Sequence, residues 1–488
     1  MTKIRQKKIK IELFKEQETY TIYNGSMLDM LQVIEPNSID AIVTDPPYEL
    51  NFMNKGWDNT GIAFNPNTWK KCYEVLKPGG YLLAFGGSRT FHRIAVAIED
   101  AGFEIRDTIM WIYGSGFPKS MNISKAIEAK EKYGNSGTRN KRKVEQDCDS
   151  EEFVVKQPNN GILGEIIETT RKEYIPSHDL AKQWQGWVTA LKPAYEPVIV
   201  ARKPFKGSLV DNIIENGVGG LNIEECRVKT EDNLNGGGYN TKGNSQKSKE
   251  DATSYYLKVL EKEFIQPEGR FPANVIHDGS EEVVSLFPHT KSGKMIPKHK
   301  RTTDQSPNGI YGKFDVNHPL SETYGDSGSA ARFFYSAKAD KKDRDEGLDI
   351  AGFEEIHPSN ITGRKVGSAG AKNGGFAGMT ETPRRNIHPT VKPCELMQYL
   401  VRLVAPKGAT ILDPFMGSGS TGKAVMFENR ERNANYKFIG IDLEEKYCQI
   451  ANARIDYALN KYEYDVIKEQ QQSKQRGQTS IFDFIEVK

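Results

Sequence analysis

The sequence predicts an α/β fold built on a mostly parallel sheet whose strands are divided between two distant parts of the chain. Three observations carry the prediction. Stretches rich in β-branched and aromatic residues alternate with helix-like stretches, the pattern of parallel strands joined by helical crossovers. A glycine-rich turn, "ILDPFMGSGSTGKAV" at 411–425, places Gly417, Gly419 and Gly422 in G-x-G-x-x-G spacing between an apolar run and a helix-like one. That turn comes so late in the 488 residues that too little sequence follows to build a sheet around it, so the rest of the sheet is expected before it.

Seven strands are read in order: 20–24, 39–45, 81–87, 103–113, 197–203, 409–413 and 437–443. Helices are expected at 67–76, ending at "KPGG", at 89–101, at 393–405 with Pro393 at its start, at 420–430 and at 444–460. Between 205 and 385 the texture changes to Gly, Asn, Ser and charged residues, as in "NLNGGGYNTKGNSQKSKED", with scattered apolar runs such as "FPANVIHDG" and "ARFFYSAKAD". The expected organisation is therefore 1–204 as one half of the sheet, 205–385 as a loop-rich insertion, 386–460 as the other half, and 461–488 as a polar linker with an apolar tip.

Composition narrows the class. With 37% hydrophobic residues the chain can bury a sizeable core. No apolar run approaches the roughly 18 residues of a membrane span, and the basic start lacks a signal-peptide stretch, so a cytoplasmic protein without membrane association is expected. The cysteines at 72, 148, 226, 394 and 448 form no C-x-x-C pair and no Cys/His metal pattern, so no metal is expected. The net charge of +2 does not announce a nucleic-acid binder, although basic clusters at 3–10, 141–143, 297–301 and 383–385 are of the kind that meets phosphate.

The chemistry concentrates at two strand ends. "TDPPYEL" at 44–50 closes the strand at 39–45, because two prolines donate no amide hydrogen and fix φ near −65°. Asp45 then stands at the carboxyl end of a parallel strand, where open α/β sheets bind ligands. Asp413 in "ILDPF" holds an equivalent position, so two carboxylates are expected at one crevice. A carboxylate four residues before the first glycine disfavours a pyrophosphate and suits a ligand with an ammonium group, such as S-adenosylmethionine. Asp442, closing "FIGID", is placed to accept from ribose hydroxyls.

These residues resemble a known family: the amino-methyltransferases that modify exocyclic amines of DNA, in the permuted β-class order, with prophage-encoded members most similar. The resemblance rests on "NGSMLDML" at 24–31, Asp-Pro-Pro-Tyr at 45–48, "HPTVKP" at 388–393 and "DPFMGSGST" at 413–421, and it covers nearly the whole chain. It implies a seven-stranded, mostly parallel, Rossmann-like methyltransferase sheet, circularly permuted, with 205–385 as the inserted target-recognition region. It implies S-adenosylmethionine as cofactor, bound by Asp29, Thr390, Lys392, Asp413, Phe415, Gly417, Ser418, Gly419, Ser420 and Asp442. It also implies a catalytic set of Asp45, Pro46, Pro47 and Tyr48.

In that chemistry the Asp45 carboxylate and the Pro46 carbonyl take the two hydrogens of the target amine, and Tyr48 stacks on a base flipped from the duplex. Transfer is direct and in line, with no covalent enzyme intermediate. Double-stranded DNA is the expected partner, a homodimer is admitted, and a restriction-modification setting is implied. Asp rather than Ser before Pro-Pro-Tyr tilts the resemblance toward adenine N6, with cytosine N4 as the alternative. Cys394 follows a proline, as a cytosine-C5 nucleophile does, but it opens a helix and is read as structural. The run "GQTSIFDF" carries Gln478, Ile481 and Phe482 in the order of a sliding-clamp peptide, against the plainer reading that this tip docks on its own sheet.

Overall fold

The computed structural model describes residues 12–50, 56–114, 116, 120–147, 152–158, 166–172, 174–234, 265–291, 293, 325–337, 342–356, 384–461 and 464. The sliding-clamp peptide at 478–482 and the basic clusters at 3–10 and 297–301 lie outside these residues. The chain forms two compact units, one of Met1–Gly114 with Tyr195–Lys488 and the other of Ser115–Ala194.

The larger unit is organised by one sheet. Its strands are β1 (Glu12–Glu16), β2 (Tyr20–Asn24), β3 (Ile39–Thr44), β4 (Leu76–Phe85), β5 (Glu104–Ile112), β6 (Tyr195–Arg202), β7 (Val275–His277), β8 (Tyr335–Ser336), β9 (Thr410–Asp413) and β10 (Lys437–Asp442). Their spatial order is β1-β2-β10-β9-β3-β4-β6-β5-β7-β8. All neighbours pair in parallel except β1 with β2 and β6 with its two flanking strands. The late strands β9 and β10 sit between β3 and β2, so both parts of the chain build one sheet.

The seven expected strands are all present, and the expected total of seven is corrected to ten. The surplus strands lie at the two edges. β7 and β8 come from the apolar runs "FPANVIHDG" and "ARFFYSAKAD" of the loop-rich stretch, and at three and two residues they are too short for a periodicity to mark them.

Helices cover both faces, as buried parallel strands require. Alternate residues of β3 and β4 point to opposite sides. Ala41, Val43, Tyr81, Leu83 and Phe85 pack with helices α9 (Cys394–Val404), α10 (Ser420–Arg432) and α11 (Glu445–Leu459), which follow eight earlier helices among the described residues. Ile42, Leu82 and Ala84 pack with α1 (Met27–Met30), α2 (Pro66–Val75) and α3 (Phe91–Asp100). Asn65 caps α2 by accepting from Asn67 N, with Pro66 at the first helical position, where its missing amide hydrogen costs nothing.

The smaller unit holds α4 (Ile123–Tyr133), α5 (Thr138–Asp147), α6 (Asp179–Gln183) and an antiparallel hairpin of Glu152–Pro158 with Ile166–Lys172. Its anchor is Glu128. Burial works against that carboxylate's charge, yet Ser177 and Lys132 outweigh it and hold the group at about 2. In the larger unit, α7 (Leu209–Asn216) opens on a Ser208/Asp211 capping box and α8 (Glu281–Val284) follows β7.

Candidate active site

β3 is buried at all six positions, and the prolines end it at the point where its neighbours also turn out of the sheet. Asp45 lies immediately beyond. Its Oδ2 accepts from Lys392 Nζ at 2.6 Å, while its Oδ1 is buried and accepts no hydrogen bond from the described residues. A buried carboxylate oxygen without a donor is uncommon and marks a place for one.

Tyr48 is fixed three residues on. Its hydroxyl donates to Glu196 Oε2 at 2.8 Å and also faces the Asp45 carboxylate, and its carbonyl accepts from Thr90 Oγ1 at 2.8 Å. The turn after it is held by Asp58, whose carboxylate accepts from Glu49 N at 2.9 Å and Leu50 N at 3.2 Å. Glu49, at φ +55°, accepts in turn from Gly61 N at 2.8 Å. These contacts tie the segment after the two prolines to residues 58–61.

Lys392 enters from just before α9 and is buried. Its ammonium lies 2.6 Å from Asp45, 3.2 Å from Glu196 Oε2, and 4.8 and 5.4 Å from the ring centres of Phe85 and Tyr48. Burial opposes its charge, but Asp45 and Glu196 outweigh it and hold the ammonium above its ordinary range.

The glycine turn is laced to the tip of β10. Asp442 Oδ2 accepts from Gly417 N and its Oδ1 from Glu444 N, each at 2.8 Å, and Met416 N donates to Ile441 O. Burial pushes the Asp442 carboxyl up to about 7. Gly417 and Gly419 take φ of +54° and +76°, where a Cβ is strained. A Cβ on Gly417 would stand 2.9 Å from His388 Nε2, and one on Gly419 2.9 Å from the Ala451 backbone. His388, wedged edge-on against Tyr447, is pushed by burial down to about 4 and stays neutral.

Asp413 is turned inward. It accepts from Thr44 Oγ1 and Thr421 Oγ1 at 2.6 Å each and from Phe415 N at 3.2 Å, and burial pushes it up to about 6. The two strand-end carboxylates therefore do not share an open crevice. Asp45 has an oxygen that accepts no hydrogen bond from the described residues, whereas Asp413 ties β3, β9 and α10 together. Phe415 is half-buried against Trp69, with ring centres 6.3 Å apart. Ser418 and Ser420 are buried, and both hydroxyls accept from Arg454. Asp29 is exposed on the first turn of α1. Thr390 is exposed, and its carbonyl meets His388 Nδ1. Cys394 is buried, and burial pushes its thiol far above the ordinary range, which keeps the nucleophilic thiolate from forming.

Glu196, Asp58 and His388 were not singled out as site residues by sequence reasoning. His388 lies within the "HPTVKP" motif, and that motif was its signal. Glu196 had none, since it reads as the residue just before a strand.

A family model described as DNA methylase, N6_N4_Mtase, matches residues 39–453. The type II methyltransferase M.HindIII of Haemophilus influenzae is 23% identical over 245 residues, which cover 41% of this chain and 64% of that protein. The type II methyltransferase M.HpaI of Haemophilus parainfluenzae is 36% identical over 107 residues, covering 20% of this chain and 34% of that protein. The matches thus span less than two thirds of either relative. The PvuII DNA methyltransferase, described as cytosine-N4-specific, superposes with a TM-score of 0.38 at 12% identity, covering 92% of this chain and 97% of that one. That superposition is too loose to bear on the fold, which rests on the strand order given above.

Proposed function

The chain belongs to the N6_N4_Mtase family of DNA methylases, and from that premise we propose that it transfers a methyl group from S-adenosylmethionine to the exocyclic N6 of adenine in duplex DNA. The observation that carries the reading is the Asp45 carboxylate, with one oxygen pinned by Lys392 and the other buried without a donor among the described residues. An exocyclic amine brings the hydrogens that this oxygen lacks.

An aromatic amine is a weak nucleophile because its lone pair is delocalised into the ring. Asp45 Oδ1 and the Pro46 carbonyl, accepting its two hydrogens, favour a pyramidal nitrogen whose lone pair points away from both acceptors. The Tyr48 ring, held at its hydroxyl by Glu196, offers a face on which a flipped base stacks. Asp45 also stands where the surplus proton leaves the methylated nitrogen.

The residues present fit the cofactor. Asp442 has spent two of its roughly four acceptor positions on Gly417 N and Glu444 N, which leaves capacity for ribose hydroxyls. Phe415 lies in the turn after β9 and Asp29 is exposed on α1, and Gly417 and Gly419 let the turn close down on His388 and α11. Asp413, with Thr44 and Thr421, holds that turn in register with β3. When bound, S-adenosylmethionine supplies an electrophilic sulfonium methyl. Base choice within 205–385 then depends on the side chains of that region that reach base edges.

Mass spectrometry of nucleosides from duplex DNA incubated with the purified protein and S-adenosylmethionine tests this. N6-methyladenine is the expected product. N4-methylcytosine would replace the base assignment, and no methylated nucleoside on a range of genomic DNAs would overturn the reading.

A further inference from the structure

Glu196 is a further charged group at the site. It is the second residue of β6, and the position follows from topology. β6 runs opposite to β4 and β5, between which it lies, so its first residues arrive where those strands end. Glu196 pairs with Trp111, the next-to-last residue of β5, and so its carboxylate reaches the edge that carries Asp45 and Tyr48.

Its Oε2 accepts from Tyr48 at 2.8 Å and lies 3.2 Å from Lys392 Nζ. Tyr113, just past β5, also turns its hydroxyl toward this carboxylate. One side chain therefore fixes both the ring proposed to stack on the base and the ammonium that orients Asp45.

An ammonium has three donors and seeks as many acceptors as it can reach. With Glu196 present, Lys392 divides itself between two carboxylates and takes only one oxygen of Asp45. Without that second acceptor, Lys392 can close over both oxygens of Asp45 and occupy the one otherwise left open for the target amine. We propose that Glu196 is a positioning residue for methyl transfer, drawing Lys392 aside so that Asp45 Oδ1 stays open and holding the Tyr48 ring in place. The inference rests on the amine-methylating reading of the site but not on which base is the target.

Among the described residues, the titratable groups that face Lys392 are Asp45 and Tyr48 from the segment after β3, Glu196 from β6 and His388 from its own segment, with Tyr113 beyond Glu196. Of these, Asp45 and Glu196 sustain its charge against burial, and His388 is neutral. Removing the Glu196 charge leaves the burial cost in place with one counter-ion fewer, so Lys392 loses its proton at lower pH.

The test compares Glu196→Gln and Glu196→Asp with the parent in single-turnover methyl transfer across pH, alongside S-adenosylmethionine affinity and thermal unfolding. Glu196→Gln is expected to lower kcat at least about tenfold with cofactor affinity unchanged. It should also move the alkaline limb of the profile to lower pH. Glu196→Asp, which keeps the charge on a shorter arm, should keep the limb at the parent's position and recover part of kcat. The proposal is overturned if Glu196→Gln turns over within twofold of the parent. It is equally overturned if both variants lose rate alike and neither moves the limb, the behaviour of a residue that only supports the strand. Parent protein that methylates no DNA would instead sink the reading of the site itself.

Discussion

Lys392 donates to Asp45 at 2.6 Å across a separation of 347 residues, so the ion pair at the centre of the site joins the two parts of a divided chain. The segment that carries Lys392 leads into α9 and the glycine turn, and Asp45 lies immediately beyond β3. Their contact sets the proposed amine acceptor against the half of the sheet that carries the cofactor motif.

Replacing that lysine by an apolar residue of similar length leaves Asp45 and Glu196 facing each other without a cation. Lys392→Met should destabilise the protein by about 2 kcal/mol or more, the carboxylates being only partly buried. It should also depress methyl transfer more than cofactor affinity. Urea unfolding and single-turnover rates check this, and a variant as stable as the parent would show that the ion pair is not structurally required.

The two left-handed glycines should respond unequally. A methyl group on Gly417 meets the edge of the His388 ring, a side chain that can shift, whereas on Gly419 it meets the backbone and Cβ of Ala451 in α11. Both substitutions carry the left-handed backbone penalty of about 1 kcal/mol. Gly419→Ala should therefore cost more stability than Gly417→Ala, and both should weaken cofactor binding. Thermal unfolding and calorimetry with S-adenosylmethionine measure the pair, and the reverse order would contradict the packing described.

Asp442 makes stability depend on pH in a defined direction. Burial raises its folded value from 3.8 to about 7. A carboxyl with a raised folded value contributes stability that is fully present below the ordinary value and lost as pH rises through about 7. Asp442→Asn removes this loss, so relative to the parent the variant should fare better at pH 8 than at pH 5 in ligand-free urea unfolding. A stability difference that is the same at both pH values, or of opposite sign, would contradict the assignment. Ribose binding by Asp442 predicts separately that the variant loses cofactor affinity.

Much of this molecule was legible because its central strands are buried on both faces and so read as apolar β-branched runs. "IDAIVT" and "PVIVAR" are examples. β7 and β8 were not, since three and two residues carry no period, and β1, "ELFKE", is a polar edge strand. Asp45, Tyr48 and Lys392 were found through motifs of fixed spacing. Glu196 was not, because its place at the site comes from the reversed direction of β6, a property of pairing rather than of local sequence. The inward turn of Asp413 escaped for a similar reason. Its partners Thr44 and Thr421 are hydroxyls whose reach depends on the register of β3 with β9.

The central claim is that Asp45 Oδ1 receives the target amine, and Asp45→Asn tests it most directly. The amide keeps the shape of the side chain and can still accept from Lys392, but it then turns an N–H₂ toward the amine in place of a lone pair. The single-turnover rate of methyl transfer to duplex DNA should fall by about 10²-fold or more, with S-adenosylmethionine affinity within a few-fold of the parent. A variant that keeps about half the parent's rate would contradict the account.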